Sequence, residues 1–273
     1  MRYLLFGVLL LCFSPAPSFA AEIMFEGYYR IDLAGKHIGY SIQRYEFEPK
    51  DRTFSTISFL RIKTGNEVMQ ESLRAKSNDK FQPVSYSYTL TQGKTVKTID
   101  ATFKGEIMKV KIIDGKKVLD QTHKLPKGTF LSSFLTYLML QKKMSLNQAF
   151  QYSAVAEEDA ASYNGKALIE SREAKDSFEA LRILNSFKGE KFVAKVAVVK
   201  DPKNPEKNIR GEVLSTSSPT KSISTELVES TVATEGQIVP NKILIDIFGN
   251  MPTGKNNLLN AEKKPESPPE KKK

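Results

Sequence analysis

The chain has 273 residues and a formal charge of +10, from 41 Lys and Arg against 31 Asp and Glu. With 40% hydrophobic and 26% charged residues it can bury a core, and a mean hydropathy of -0.35 excludes an integral bundle of membrane helices. Two histidines and a single cysteine leave little material for a metal centre or a disulfide framework.

The amino terminus reads as a secretory signal peptide over residues 1–20. Arg2 precedes an apolar run from Leu4 to Phe13, and the stretch Ser14 to Ala20 ends with Ser18 and Ala20 in an A-x-A-like cleavage pattern. The processed chain is then expected to start at Ala21 and to work outside the cytoplasm, in the periplasm. Cys12 falls inside this leader, so no disulfide is expected within the processed chain. Leu11 stands where a lipid-attachment motif wants a small residue, which argues against acylation of Cys12. Roughly 250 residues remain, a size that suits a single large all-β domain. No second apolar run approaches the ~18 residues of a spanning helix, so no transmembrane segment is expected there.

From Tyr28 to Leu125 short runs rich in Tyr, Phe, Ile, Val and Thr alternate with turn residues about every ten positions, the pattern of antiparallel strands. The punctuation includes Ala34-Gly35-Lys36, Thr64-Gly65-Asn66, Gln92-Gly93-Lys94 and Asp114-Gly115, the last read as a type I′ hairpin pair. In Val84 to Leu90 the residues Val84, Tyr86, Tyr88 and Leu90 share one face, opposite Ser85, Ser87 and Thr89. Along His37 to Phe47 the apolar set moves from Ile38, Tyr40 and Ile42 to Tyr45 and Phe47. That shift predicts a bulge near Gln43 or Arg44 that curves the sheet.

Pro126-Lys127-Gly128-Thr129 ends this meander, and the period changes. Phe130, Leu131, Phe134, Leu135, Leu138 and Met139 fall on one helical face, with Thr129 as N-cap, predicting a helix from Phe130 to about Lys143. Tyr137 and Leu140 widen its apolar surface, so it is expected to lie buried on the concave side of the sheet. Glu157-Glu158-Asp159 reads as a solvated polar turn. Strand patterns resume at Lys166–Arg172, Phe178–Phe187, Lys191–Val199, Asn208–Ser215, Ile223–Val228 and Lys242–Phe248. The run from Phe192 to Val199 is apolar on both faces apart from Lys195, which predicts a central strand beneath the helix. The expected domain is thus a single, strongly curved antiparallel sheet over 21–250, a half-barrel or open barrel with one helix on its concave face. Residues 251–273, rich in Lys, Pro and Glu, read as a disordered tail.

Catalytic motifs are missing. Past the leader there is no cysteine nucleophile, G-x-S-x-G elbow, H-E-x-x-H pair or G-x-G-x-x-G turn. Gly93-Lys94-Thr95 resembles the end of a phosphate loop, but Tyr88 stands where its first glycine belongs, so it reads as a hairpin turn. His37 and His123 are separated without any ligand spacing, and no metal, cofactor or catalytic residue is assigned. Glu67 and Glu71 flank Met69 on a strand, near one apolar face.

The apolar constellation is more informative. Leu60, Ile62, Met69, Leu73, Tyr86, Tyr88 and Leu90 converge, on a curved sheet, with Phe134, Tyr137 and Leu138 of the helix. These ten are the candidate ligand-binding residues, with Phe54 beside them. They either fill a dry core or line a cavity for an acyl chain, with flexible Met69 and Met139 adapting to it.

Three segments carry a resemblance: Gly35-Lys36-His37-Ile38-Gly39-Tyr40 after Tyr28-Tyr29-Arg30, Leu131 to Leu138, and Ile238-Val239-Pro240-Asn241-Lys242-Ile243. In this order they resemble uncharacterised exported bacterial proteins grouped as domains of unknown function. The resemblance implies a curved antiparallel sheet holding a helix, similar in shape to the periplasmic lipoprotein carriers of the LolA type. The opening hairpin also looks like the β-domain of some bacterial transglutaminase-like proteins, whose catalytic cysteine has no counterpart here. The function expected is therefore non-enzymatic. One reading is a half-barrel that takes a lipid, a lipidated protein or another apolar envelope component. The other is a protein-interaction module of envelope assembly with a dry core. The scattered lysines suit anionic headgroups or acidic envelope polymers, or a merely soluble surface, and nucleic acid is not an expected partner.

Overall fold

The computed structural model describes residues 21–142, 145–174, 178–200 and 209–261. The first half is the expected meander. Its strands are Glu22–Leu33 (β1), Lys36–Glu48 (β2), Thr53–Thr64 (β3), Glu67–Asn78 (β4), Pro83–Gln92 (β5), Thr95–Lys104 (β6), Ile107–Asp114 (β7) and Lys117–Lys124 (β8). A short strand, Phe130–Leu131 (β9), leads through a 3-10 turn over Ser132–Phe134 into the helix Leu135–Gln141 (α1). A second meander follows: Ala149–Ala156 (β10), Ala161–Ala174 (β11), Glu179–Phe187 (β12), Glu190–Lys200 (β13), Ile209–Ser218 (β14) and Ile223–Val228 (β15). Three helices close the described chain, Ser230–Ala233 (α2), Asn241–Phe248 (α3) and Leu258–Ala261 (α4).

Among the described residues all 15 strands form one sheet in the order β8 to β1, then β15 back to β9. The two meanders join where the first and last strands pair antiparallel, Tyr28 opposite Val228 and Leu33 opposite Ile223. One departure from the antiparallel expectation is β9, which runs parallel to β10. The sheet is open but strongly curved. Lys97 of β6 donates from Nζ to the Glu158 carbonyl in the β10–β11 turn at 3.0 Å, although nine strands separate β6 from β11 along the sheet.

Both faces of the sheet are covered at β1 to β3, and this explains β2. Tyr40 and Ile42 join Tyr28, Ile57 and Phe59 in an outer core under Ala233 of α2 and Leu244 and Phe248 of α3. Tyr45 belongs to the inner core with Phe134 and Tyr137. The β2–β3 register runs unbroken through Gln43↔Ser58 and Arg44↔Ile57, so the bulge expected there is not formed. Strict alternation simply passes from one buried face to the other. Irregularities of the β1–β2 pair fall instead between Ile23 and Phe25 and between Ile31 and Asp32.

Other expectations change as well. The helix begins five residues later than predicted, and Thr129 is not its N-cap: the Thr129 hydroxyl donates to the Pro126 carbonyl at 2.7 Å and lies 3.0 Å from the Ser153 hydroxyl. Helix α1 packs chiefly on β14, not β13. Gly211 permits this approach, because a Cβ there would come within 2.4 Å of Leu140 Cδ1 and 3.0 Å of Thr136 Cγ2. In β13 itself Val196, Ala197 and Val198 are all buried, so both of its faces are covered at that point. At Asp114-Gly115 the loop proper is Gly115-Lys116, with positive φ at the glycine alone, a II′ arrangement.

Lys242–Phe248, predicted as a strand, lies within α3. Its Leu244 and Phe248, four apart, drop onto the outer core, and Gly249 ends it in the left-handed conformation at φ 79°. The segment after Asn250 is ordered as far as it is described. A buried ion pair, Glu26 with Arg44 at 2.5 Å and each side chain 3% exposed, anchors it. Glu26 Oε1 accepts from the Thr253 and Gly254 amides at 2.6 and 2.7 Å, while Arg44 donates to the Phe248 carbonyl and to Asn250 Oδ1, both at 2.8 Å. The remainder of the expected tail, residues 262–273, lies outside the described residues, as does the expected signal peptide. No helix among the described residues is long and apolar enough to cross a membrane.

Candidate functional site

The inner face of the sheet is stoppered by the 3-10 turn and α1. Its anchor is Glu157 at the end of β10, a residue only 2% exposed. The Ser132 and Ser133 hydroxyls donate to its two carboxylate oxygens at 2.6 and 2.7 Å, and the Ser133 amide adds a bond of 3.2 Å. Burial raises the Glu157 carboxyl above its ordinary value, and the serine hydrogen bonds pull it part of the way back. From the opposite wall, Tyr45 donates to the Ser133 carbonyl at 2.8 Å and is itself held by Gln43. Of the acidic cluster, read as a solvated turn, only Glu157 is buried, while Glu158 is half-buried and Asp159 exposed. Glu157 faces inward as the plug's socket, and Glu158 and Asp159 grip Lys188.

Apolar contacts complete the stopper. The Phe134 ring lies 6.4 Å from that of Tyr45 and 5.8 Å from that of Phe81, and Tyr137 lies 4.6 Å from Tyr45. Offset and tilted aromatic contacts of this kind add to the burial of the rings themselves.

The structure divides the ten candidate residues into two groups. Phe134, Tyr137, Leu138, Tyr86 and Tyr88 are members of the inner core, and Leu73 and Leu90 pack against it. Leu60, Ile62 and Met69 are half-buried and stand outside that core. They sit toward the β3–β4 turn, with Ile62 directly opposite Met69. Glu71 shares this region, its carboxyl raised by burial first and by the Glu158 carboxylate second. His37 is tied to the Gly39 carbonyl at 2.9 Å, and His123 lies on the exposed edge strand β8 beside Gln121. No group of His, Cys, Asp and Glu suited to a metal occurs among the described residues.

Two clefts flank the plug. The smaller, about 330 Å³, lies between α1 and the inner face of β1, β2 and β12–β15, with Gln43, Tyr45, Met139, Asn185 and Thr216 in its wall. The larger, about 840 Å³, opens at the other side of Leu138, between the β4–β5 turn, the turn before β9, and β10–β11. Phe130, Phe150 and Tyr152 line it together with Lys80, Lys127 and Lys166. Sequence reasoning missed this cleft because β10 itself was missed: in Ala149 to Ala156 every residue from Ala154 to Ala156 is buried, which hides the alternation. Glu157 was missed for a related reason, since its serine partners lie 24 and 25 residues upstream.

No family model and no curated protein matches the chain. Among solved structures it is similar to a β-barrel-like protein of the domain of unknown function DUF1849 from Brucella abortus. The identity is 13% and the TM-score 0.48, over 77% of this chain and 98% of that one. It is also similar to a DUF1089 family protein from Pseudomonas aeruginosa, at 12% identity and a TM-score of 0.35, over 66% of this chain and 90% of that one.

Proposed function

We propose that this is a non-enzymatic exported protein, working in the periplasm, whose half-barrel takes up a lipid, a lipidated protein or another apolar envelope component. The observation that carries the reading is the plug. The 3-10 turn and α1 cover the inner face with Phe134, Tyr137 and Leu138, and their polar attachment is concentrated at Ser132 and Ser133, on Glu157 and Tyr45.

Displacing the turn and α1 uncovers an apolar wall at Tyr45 and Phe81, whose rings lie against Phe134 and Tyr137, in an inner core that also holds Tyr86 and Tyr88. An acyl chain offers that wall the same kind of surface that the plug removes, so the exchange conserves buried apolar area. The half-buried Leu60, Ile62 and Met69 extend the wall beyond the plug, giving a longer chain somewhere to run. Two of the titratable groups on this face serve the plug: Glu157 is occupied by serine hydroxyls, and Tyr45 by the Ser133 carbonyl.

Native mass spectrometry of the chain from Ala21, purified from envelope without detergent, tests this. Near-stoichiometric acyl species are expected to accompany the protein. A ligand-free mass that persists after incubation with envelope lipids would contradict the reading and favour an interaction module with a permanently dry core.

A further inference from the structure

The larger cleft differs from the rest of the inner face in its charge. Lys80 on the β4–β5 turn, Lys127 on the turn before β9, Lys142 after α1 and Lys166 on β11 all border it, and no Asp or Glu does. They come from four separate parts of the chain, yet converge on one opening. None of the four forms an ion pair with a carboxylate among the described residues. The Lys142 ammonium instead lies 5.3 Å from the Phe150 ring centroid, a cation–π contact. Four like charges around one concavity raise each other's energy, and an anion placed among them lowers it.

Beneath the rim the lining changes character. Phe130 is 2% and Leu138 8% exposed, both members of the inner core, so the floor of the cleft is the edge of that core. Gln151, Ser153 and Asn164 line the cleft as well and supply neutral hydrogen-bonding groups. The lining thus combines cationic, polar and apolar groups, and its apolar part continues into the plug. A volume of about 840 Å³ is within the usual range for a small-molecule site.

We propose that this cleft seats the anionic head of an amphiphile whose apolar part enters the inner face where Leu138 now lies. This inference rests on the reading of the half-barrel as a lipid-binding fold and adds to it the charge class of the ligand and the place of entry. The head group is held among Lys80, Lys127, Lys142 and Lys166, and the chain runs from Phe130 past α1 toward Met69. Loading therefore begins at the carboxyl end of α1, while the serine–Glu157 socket holds the other end until the chain has entered.

The test incubates the chain from Ala21 with vesicles of phosphatidylglycerol and phosphatidylcholine in equal amounts and with identical acyl chains, then reads the bound lipid by native mass spectrometry. The expected bound ratio favours phosphatidylglycerol by about tenfold at low salt, from charge-assisted contacts, and declines as salt is added. In the double variant Lys127→Glu, Lys166→Glu, both exposed positions, the urea midpoint stays at the wild-type value and the preference disappears. Uptake of both lipids without preference, or a preference that survives the double variant, overturns the anionic-head proposal while leaving the lipid-binding reading intact. Binding of neither lipid overturns both. Glycerol 3-phosphate and inorganic phosphate, added alone, separate a head group from a free anion: weak binding of both supports the amphiphile, and binding as tight as the lipid's overturns it.

Discussion

The two faces of this sheet are closed in different ways. Over β1 to β3 the outer face is sealed by α2, α3 and the segment through Gly254, pinned by the buried Glu26–Arg44 pair whose hydrogen bonds reach Phe248, Asn250, Thr253 and Gly254. The inner face is stoppered by one seven-residue helix hung from a protonatable carboxyl and a tyrosine, with a cleft on either side. A buried charge pair is costly to open, because each partner left alone is a desolvated ion. The Glu157 socket holds instead through hydrogen bonds from two serine hydroxyls and an amide, with no ion pair to break among the described residues. On the proposed function, the outer cover is the fixed frame and the inner cover is the part that exchanges.

The largest expected effect tests the frame. Arg44→Met leaves Glu26 buried without its cation, and urea denaturation is expected to show a loss of about 3–5 kcal/mol. A loss below about 1 kcal/mol, the level of an ordinary exposed pair, would remove the distinction between the faces. Next comes the seat of the plug. Gly211→Ala forces Leu140 and Thr136 away from β14 and is expected to cost about 1–3 kcal/mol by overpacking, while speeding uptake of a fluorescent fatty acid. Slower or unchanged uptake would argue that α1 is a permanent part of the core.

A smaller effect concerns pH. Burial holds the Glu157 carboxyl above its ordinary value of 4.5. A carboxyl raised in the folded state binds its proton more tightly there than in the unfolded chain, so its contribution to stability is complete below 4.5 and is lost as pH rises through the folded value. Glu157→Gln is expected to flatten that part of the curve of urea midpoint against pH, leaving the slope contributed by Glu71, which is raised in the same sense. An unchanged curve would show that Glu157 is not the group that titrates. The smallest change is expected for Arg52→Ala, whose ion pair with Asp79 has an arginine side chain 74% exposed. Its stability should move by less than about 0.5 kcal/mol, which calibrates the others.

Much of the frame was legible because strands announce themselves locally. Period-two alternation and turn residues placed β2 to β8 to within a few residues, and the apolar run after Thr129 marked the plug. What was not legible depended on distant parts of the chain. The run Lys242 to Phe248 alternates like a strand, and only the outer core waiting for Leu244 and Phe248 selects the helix. Tyr45 seemed out of phase with Tyr40 because sequence does not say that both faces of β2 are covered. Glu157 looked like solvent because its serines come from another element. The lysine rim was invisible for the same reason, four lysines from four separate elements being no pattern along the chain.

Hydrogen–deuterium exchange of the chain from Ala21, with and without phosphatidylglycerol vesicles, compares the two faces in a single experiment. Amides of Leu138 to Gln141 are expected to lose protection when lipid is bound, while those of Leu244 to Phe248 and of Thr253 and Gly254 keep theirs. Unchanged protection in α1 at saturating lipid, or equal loss on both faces, would contradict an exchangeable inner plug on a fixed outer frame.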